Sequence, residues 1–235
     1  MRYLTLIFLF ISISCSAQFF WSHTYISTIP YTVKNGYLYN NHAVSEARHI
    51  SNAGWEVPSE ASWDSLITYC GGSLFAGGRL KQTGTTYWNS PNTSASDSVN
   101  FRARGSGWRA WPYSFDGIGV ITAYKNSSLY HVILYYNNND AITSSVQGGS
   151  DGNAIRLKKT FTNLTHGQTG TYTGNDGRVY HTICIGTQEW LQENLAETKY
   201  RNGDVIPTVT DQTTWEGLST GAKCAYNNDE SNVFF

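Results

Sequence analysis

The chain is poor in charge, methionine, proline and cysteine. Charged residues make up 14% of its 235 positions, against about 25% in an average globular chain. Met1 is the only methionine, and proline and cysteine number 5 and 4. Alanine, glutamate, lysine and leucine do not dominate, which excludes a coiled coil or helical bundle. A formal net charge of −1 argues against a nucleic-acid binder, which carries a basic stripe to neutralise phosphates. What the chain has instead is aromatic and small polar residues. Aromatics are 14%, with 16 Tyr and 8 Trp. The 19 Asn, 24 Ser and 25 Thr give 68 uncharged polar side chains, and 22 Gly accompany them. A chain this aromatic is not disordered, since disorder requires low hydrophobicity and high net charge. Its palette is that of a turn-rich, strand-rich extracellular domain with an adaptable binding surface.

Residues 1–17 read as a secretory signal. Met1-Arg2 is a short basic start, and Tyr3 to Ile13 is apolar apart from Thr5 and Ser12. That is the length of a signal-peptide core and too short to span a bilayer. Cys15-Ser16-Ala17 supplies small residues for cleavage before Gln18. Two other readings stay open: a lipoprotein signal with Cys15 acylated, or a retained anchor. No later run is apolar enough to cross a membrane. The expected location is therefore secreted or cell-surface, in the extracellular or periplasmic space.

Cleavage leaves Cys70, Cys184 and Cys224. An odd number means one disulfide and a free thiol, or no disulfide. Cys70 lies at helical spacing with apolar residues and reads as a buried small hydrophobe, so Cys184 and Cys224 are the candidate bridge. The His residues are scattered and no CxxC is present, which disfavours a metal site.

One strong helix is expected over about 59–70. Ser59 follows Pro58 as a cap. Trp63, Leu66, Ile67 and Cys70 fall on one helical face, and Gly71 stops it. Shorter helical turns are expected at 45–51 and 211–218. Strands are expected at 130–136, 141–146, 153–158 and 179–185, between turns rich in Gly, Asn and Ser.

Several of these residues carry a family likeness. Gly54-Trp-Glu-Val-Pro-Ser-Glu-Ala-Ser-Trp-Asp-Ser-Leu66, Gly71-Gly72, Ala76-Gly-Gly-Arg-Leu-Lys81 and Tyr87-Trp-Asn-Ser-Pro-Asn92 form one set. Gly186-Thr-Gln-Glu-Trp-Leu-Gln-Glu-Asn-Leu195, Thr198-Lys-Tyr200, Ile206-Pro207 and Gly221-Ala-Lys-Cys-Ala-Tyr-Asn-Asn-Asp229 form another. Together they resemble the Fibrobacter succinogenes major paralogous domain. The resemblance implies an α+β domain of C-type-lectin-like fold, with short antiparallel strands, one main helix and long loops, and it spans 31–159 and 172–233.

The order differs from the family's. There, the segment like 173–233 comes first and runs into the stretch like Tyr37-Leu-Tyr-Asn40. Here it comes last, so 18–235 reads as one circularly permuted domain with 160–172 joining the old termini. Two rivals are completion of a neighbouring chain in trans, as in domain swapping, and a truncated tandem array. The family's usual last-strand Cys is replaced by Leu157, which leaves Cys224 with Cys184 as its substitute partner.

The related formylglycine-generating enzymes use a reactive cysteine pair in the last part of the domain, and 140–159 contains no Cys. No nucleophile, base and orienter are apparent, so the chain is expected to be non-catalytic and to need no cofactor; the enzyme-class rival is an activity built on Cys184 or Cys224. Asn137–Asp140 and Asn227–Glu230 supply hard oxygens, which makes Asp140, Asp229 and Glu230 calcium candidates; both stretches also read as Asx turns. The aromatic signal is stronger. Trp108, Trp111, Tyr113, Tyr124, Tyr130 and Tyr135, with Asn137 and Asn139, are the candidate ligand residues, since rings stack on sugars or anchor epitopes. Along the strand, His131, Ile133 and Tyr135 share one face and Val132, Leu134 and Tyr136 the other. Trp55, Trp63, Trp88 and Trp190 are assigned to packing. The expected partner is a glycan or cell-surface protein, with the alternative of a structural module that self-associates in a surface or virion assembly.

Overall fold

The computed structural model describes residues 33–110, 114–128, 130–145 and 151–234, within a compact unit spanning Tyr31–Phe235. In chain order its elements are β1 (Leu38–Tyr39), α1 (Asn41–Ser45), β2 (Trp55–Glu56), α2 (Glu60–Tyr69), α3 (Ser73–Leu80), β3 (Ser106–Ala110), β4 (Ser114–Ile118), β5 (Ile121–Lys125), β6 (Tyr130–Tyr135) and β7 (Ala141–Ser145). Then come β8 (Lys158–Lys159), β9 (Thr169–Thr173), β10 (Val179–Ile185), β11 (Gln188–Leu191), α4 (Gln212–Glu216) and β12 (Lys223–Cys224). The class is α+β. One five-stranded sheet runs β2-β8-β11-β10-β9, a second runs β4-β3-β5-β6-β7, and β1 pairs with β12. Neighbours are antiparallel except β3 and β5.

The expected main helix forms as α2. Ser59 Oγ accepts from Ser62 N at 3.2 Å. The helix ends in a Schellman motif, with Gly71 N donating to Thr68 O and Gly72 N to Ile67 O, each 2.9 Å. Gly72 then starts α3, a helix that the sequence signals do not announce. Gly77 and Gly78 lie inside it, although glycine costs about 1 kcal/mol in a helix interior. Close approach explains them: a Cβ on Gly77 would meet Asp140 O at 2.1 Å, and one on Gly78 would meet Asn139 Oδ1 at 2.0 Å. Helical turns form at Gln212–Glu216, capped by Asp211, and at Asn41–Ser45 rather than 45–51, because Asn40 Oδ1 caps Ala43 N at 3.0 Å.

The main core joins α2 and α3 to both sheets. Trp63 stacks on Tyr124 at 5.5 Å between ring centroids and packs against Trp190 at 4.8 Å. Trp55, Trp63, Trp88 and Trp190 are all buried. Buried cations brace it. Lys81 Nζ donates to the carbonyls of Thr93, Tyr135 and Asn138 at 2.8–2.9 Å. Arg156 reaches Asn194 Oδ1 and the carbonyls of Phe101, Leu191 and Arg102.

Residues 173–233 pack on the rest of their own chain. Leu38 pairs with Cys224, Lys158 with Trp190, and Tyr39 Oη donates to Glu197 O at 2.9 Å. Near the two ends of the described chain, Val33 bridges Phe234 and Lys34 N donates to Val233 O at 2.7 Å. The polar stretch 160–172 is more than a connector, since most of edge strand β9 lies within it. Among the described residues, no helix is long and apolar enough to cross a membrane.

Candidate functional site

The second sheet has two unlike faces, and β6 shows the division that alternation predicts. Val132 and Leu134 enter the main core, and Tyr136 packs against it. Ile133 lies on the other side with Ile121 and Ala123 of β5, and the partly exposed rings of Trp108 and Tyr135 pack against this patch. Ile142 of β7 pairs with Ile133 and is 38% exposed. The site is therefore an apolar floor rimmed by Trp108, Tyr135 and Ile142, all mounted on paired strands.

Trp108 reaches this face through a change of side within β3. Ser106 Oγ bonds Thr122 Oγ1 at 2.8 Å, on the side that Tyr124 shares. Gly107 follows at φ 64°, and a Cβ there would meet the Tyr226 ring at 2.5 Å. Strict alternation would place Ser106 and Trp108 together, and glycine lets the strand depart from it. Next to Trp108, the buried Arg109 donates to Val209 O at 2.8 Å, Thr210 O at 2.9 Å and Gln212 Oε1 at 3.0 Å. That clasp ties β3 to the start of α4.

The other candidates separate. Tyr124 is a correction: it is fully buried against Trp63 and Phe101, with its hydroxyl 3.3 Å from Asn194 Oδ1. On β5 it pairs with Val132, so it belongs to the core side. Tyr130 is 38% exposed but has the parity of Val132 and Leu134, away from the Trp108 side. Asn137 is exposed, whereas the Asn139 carbonyl accepts from Gly78 N at 3.2 Å and serves the α3 contact. Trp111 and Tyr113 lie outside the described residues, as do residues 1–17 with Cys15.

The calcium candidates lie in turns. Asn138 Oδ1 accepts from Asp140 N at 3.1 Å, Asp229 Oδ1 accepts from Ser231 N at 2.9 Å, and Glu230 accepts from Tyr37 Oη at 2.7 Å. Among the described residues, no group of three or more His, Cys, Asp or Glu is placed to hold a metal ion. The expected Cys184–Cys224 bridge is likewise corrected. Cys70, Cys184 and Cys224 are buried free thiols, with Cys184 in the middle of the first sheet and Cys224 beside Leu38 and Trp215 in another cluster. Burial pushes the Cys70 and Cys224 thiols up to about 11, and it raises Cys184 too. A nucleophilic cysteine needs the opposite shift.

On the same face as the patch, at the end of β5, a buried polar group is assembled. Lys125 lies across from His131 on β6, Lys125 Nζ contacts Asn41 Oδ1, and His131 Nε2 is 3.0 Å from Asn153 Nδ2. Burial lowers Lys125 to about 7, against the opposing charge of Asp151. Burial, then the Lys125 charge, lowers His131 to about 3. Nothing in the sequence marks this cluster, because lysine and histidine ordinarily read as surface.

Residues 18–128 match the model of the Fibrobacter succinogenes major domain. Over those residues the chain is similar to that family. The match holds α2, the Gly77-Gly78 helix, Trp88 and β3 to β5 of this domain, and it includes Trp108. Residues 173–233, which bear the second set of likenesses, lie beyond it. No curated protein and no solved structure matches the chain.

Proposed function

We propose that this is an exported, non-catalytic recognition module of C-type-lectin-like fold that binds a glycan or cell-surface partner through the Trp108–Tyr135 face. The observation that carries the reading is the pair of partly exposed rings over the Ile121–Ala123–Ile133 floor. Flat rings stack on the apolar faces of sugars or anchor a protein epitope, and paired strands hold them at low ordering cost. Exposed Asn137 and the Ser- and Thr-bearing β7 offer hydrogen bonds close in sequence to Tyr135. The raised thiols support a non-catalytic role.

A permuted segment order belongs to the same proposal. The Val33–Phe234 bridge brings together the two stretches that the family order would join, which supports it. The packing of 173–233 on its own chain supports a self-contained module over one completed by a neighbour. Glycan-array and cell-binding assays with Trp108→Ala and Tyr135→Ala test the face: loss of binding by folded variants is expected, and undiminished binding removes it. Cys184→Ser and Cys224→Ser should leave binding intact.

A further inference from the structure

Lys125 and Asn41 are 84 residues apart in sequence, yet the lysine nitrogen contacts the amide oxygen of Asn41 within the fold. Both ends are held from behind. Lys125 N donates to Ala154 O at 3.0 Å. Asn41 follows Asn40, whose Oδ1 accepts from Ala43 N and Ala222 N at 3.0 Å each. Lys125 is 1% exposed. The groups around it are His131 from β6, Asn153 and the charge of Asp151. Asn153 Oδ1 is itself buried and has no partner among the described residues.

We propose that Lys125 and Asn41 become joined by an intramolecular amide bond between Lys125 Nζ and Asn41 Cγ, with Asp151 as the proton carrier. A primary amide is a poor electrophile, and three conditions make up for that here. Burial depresses the ammonium, so the free amine is well populated near neutral pH. Water is largely excluded around the nitrogen. The two groups are held in contact by the fold, and fixed approach of this kind is worth effective molarities of about 10⁵ M or more. The amine lone pair forms the Nζ–Cγ bond while the carbonyl π electrons move to Oδ1. On collapse the Cγ–Nδ2 bond breaks. The Asp151 carboxylate takes one proton from Nζ and delivers it to the departing nitrogen. The products are a secondary amide and one ammonia, with no oxidant, reductant or metal consumed.

The inference stands apart from the recognition reading and is tested without a ligand. Intact mass of the folded full chain should fall short of the sequence mass by one ammonia. Cyclisation of an N-terminal glutamine loses the same ammonia, so a proteolytic digest decides: a branched peptide containing residues 41 and 125 is expected. Asn41→Ala and Lys125→Arg should each abolish the branched peptide, and Asp151→Asn should reduce its yield at least tenfold. Residues 41 and 125 recovered only in separate linear peptides of wild-type protein would overturn the bond. An undiminished branched peptide in Asp151→Asn would overturn the proton role given to Asp151.

Discussion

Tryptophan and tyrosine serve two different ends on the two sides of the second sheet. On the core side, Trp63, Tyr124, Phe101 and Trp190 form one ring cluster with centroids 4.8–5.9 Å apart. They are sealed from solvent, and Arg156 lies over Phe101 at 4.6 Å. On the outer side, Trp108 and Tyr135 cover a small apolar floor and keep part of their surface in water. The same residue types read alike in sequence and differ in consequence: one group sets stability, the other is available for contact.

That contrast gives graded expectations. Trp63→Ala should cost about 3–5 kcal/mol, the range for emptying a large buried ring site, read as a lowered midpoint in chemical denaturation. Lys81→Met should cost about 3 kcal/mol, since it strands three carbonyls that now accept from a charged donor. Burial lowers Lys81 to about 8 from an ordinary 10.5. The folded state therefore binds fewer protons than the unfolded chain across that interval, and this group's contribution to stability rises with pH from about 8 to 10.5. Lys81→Met should flatten that rise, and an unchanged slope would remove the assignment. Gly77→Ala should cost about 1–3 kcal/mol through overpacking against Asp140. Trp108→Ala should cost least, about 1 kcal/mol, while removing most of the binding. If Trp108→Ala destabilises as much as Trp63→Ala, the two sides are not different in kind.

The sequence reading succeeds where local chemistry decides the outcome. The Ser59 cap, the i, i+3, i+4, i+7 face and the Gly71-Gly72 stop are sufficient for α2, and alternation places Ile133 and Tyr135 together on β6. It fails where tertiary contact overrides propensity. Gly77 and Gly78 argue against a helix, yet the loop at Asn139 and Asp140 requires them inside one. Tyr124 counts as a surface aromatic until the β5 pairing fixes its side, and Gly107 moves Trp108 against the parity of Ser106. Lys81, Arg109, Lys125 and Arg156 are basic residues in a chain that has few, and the fold buries all four. Their carbonyl and amide partners come from distant segments that no spacing rule connects. The disulfide expectation rested on the count of three cysteines, the helical place of Cys70 and the family likeness at Leu157, and none of these says which strands lie side by side.

The most direct test of the central claim is a side-by-side binding measurement of wild-type and Trp108→Ala protein on glycan arrays and intact cells, with the denaturation midpoint of each preparation recorded. A recognition face predicts that Trp108→Ala loses at least tenfold in binding while its midpoint stays close to that of the wild type. Equal binding by the two proteins would contradict it.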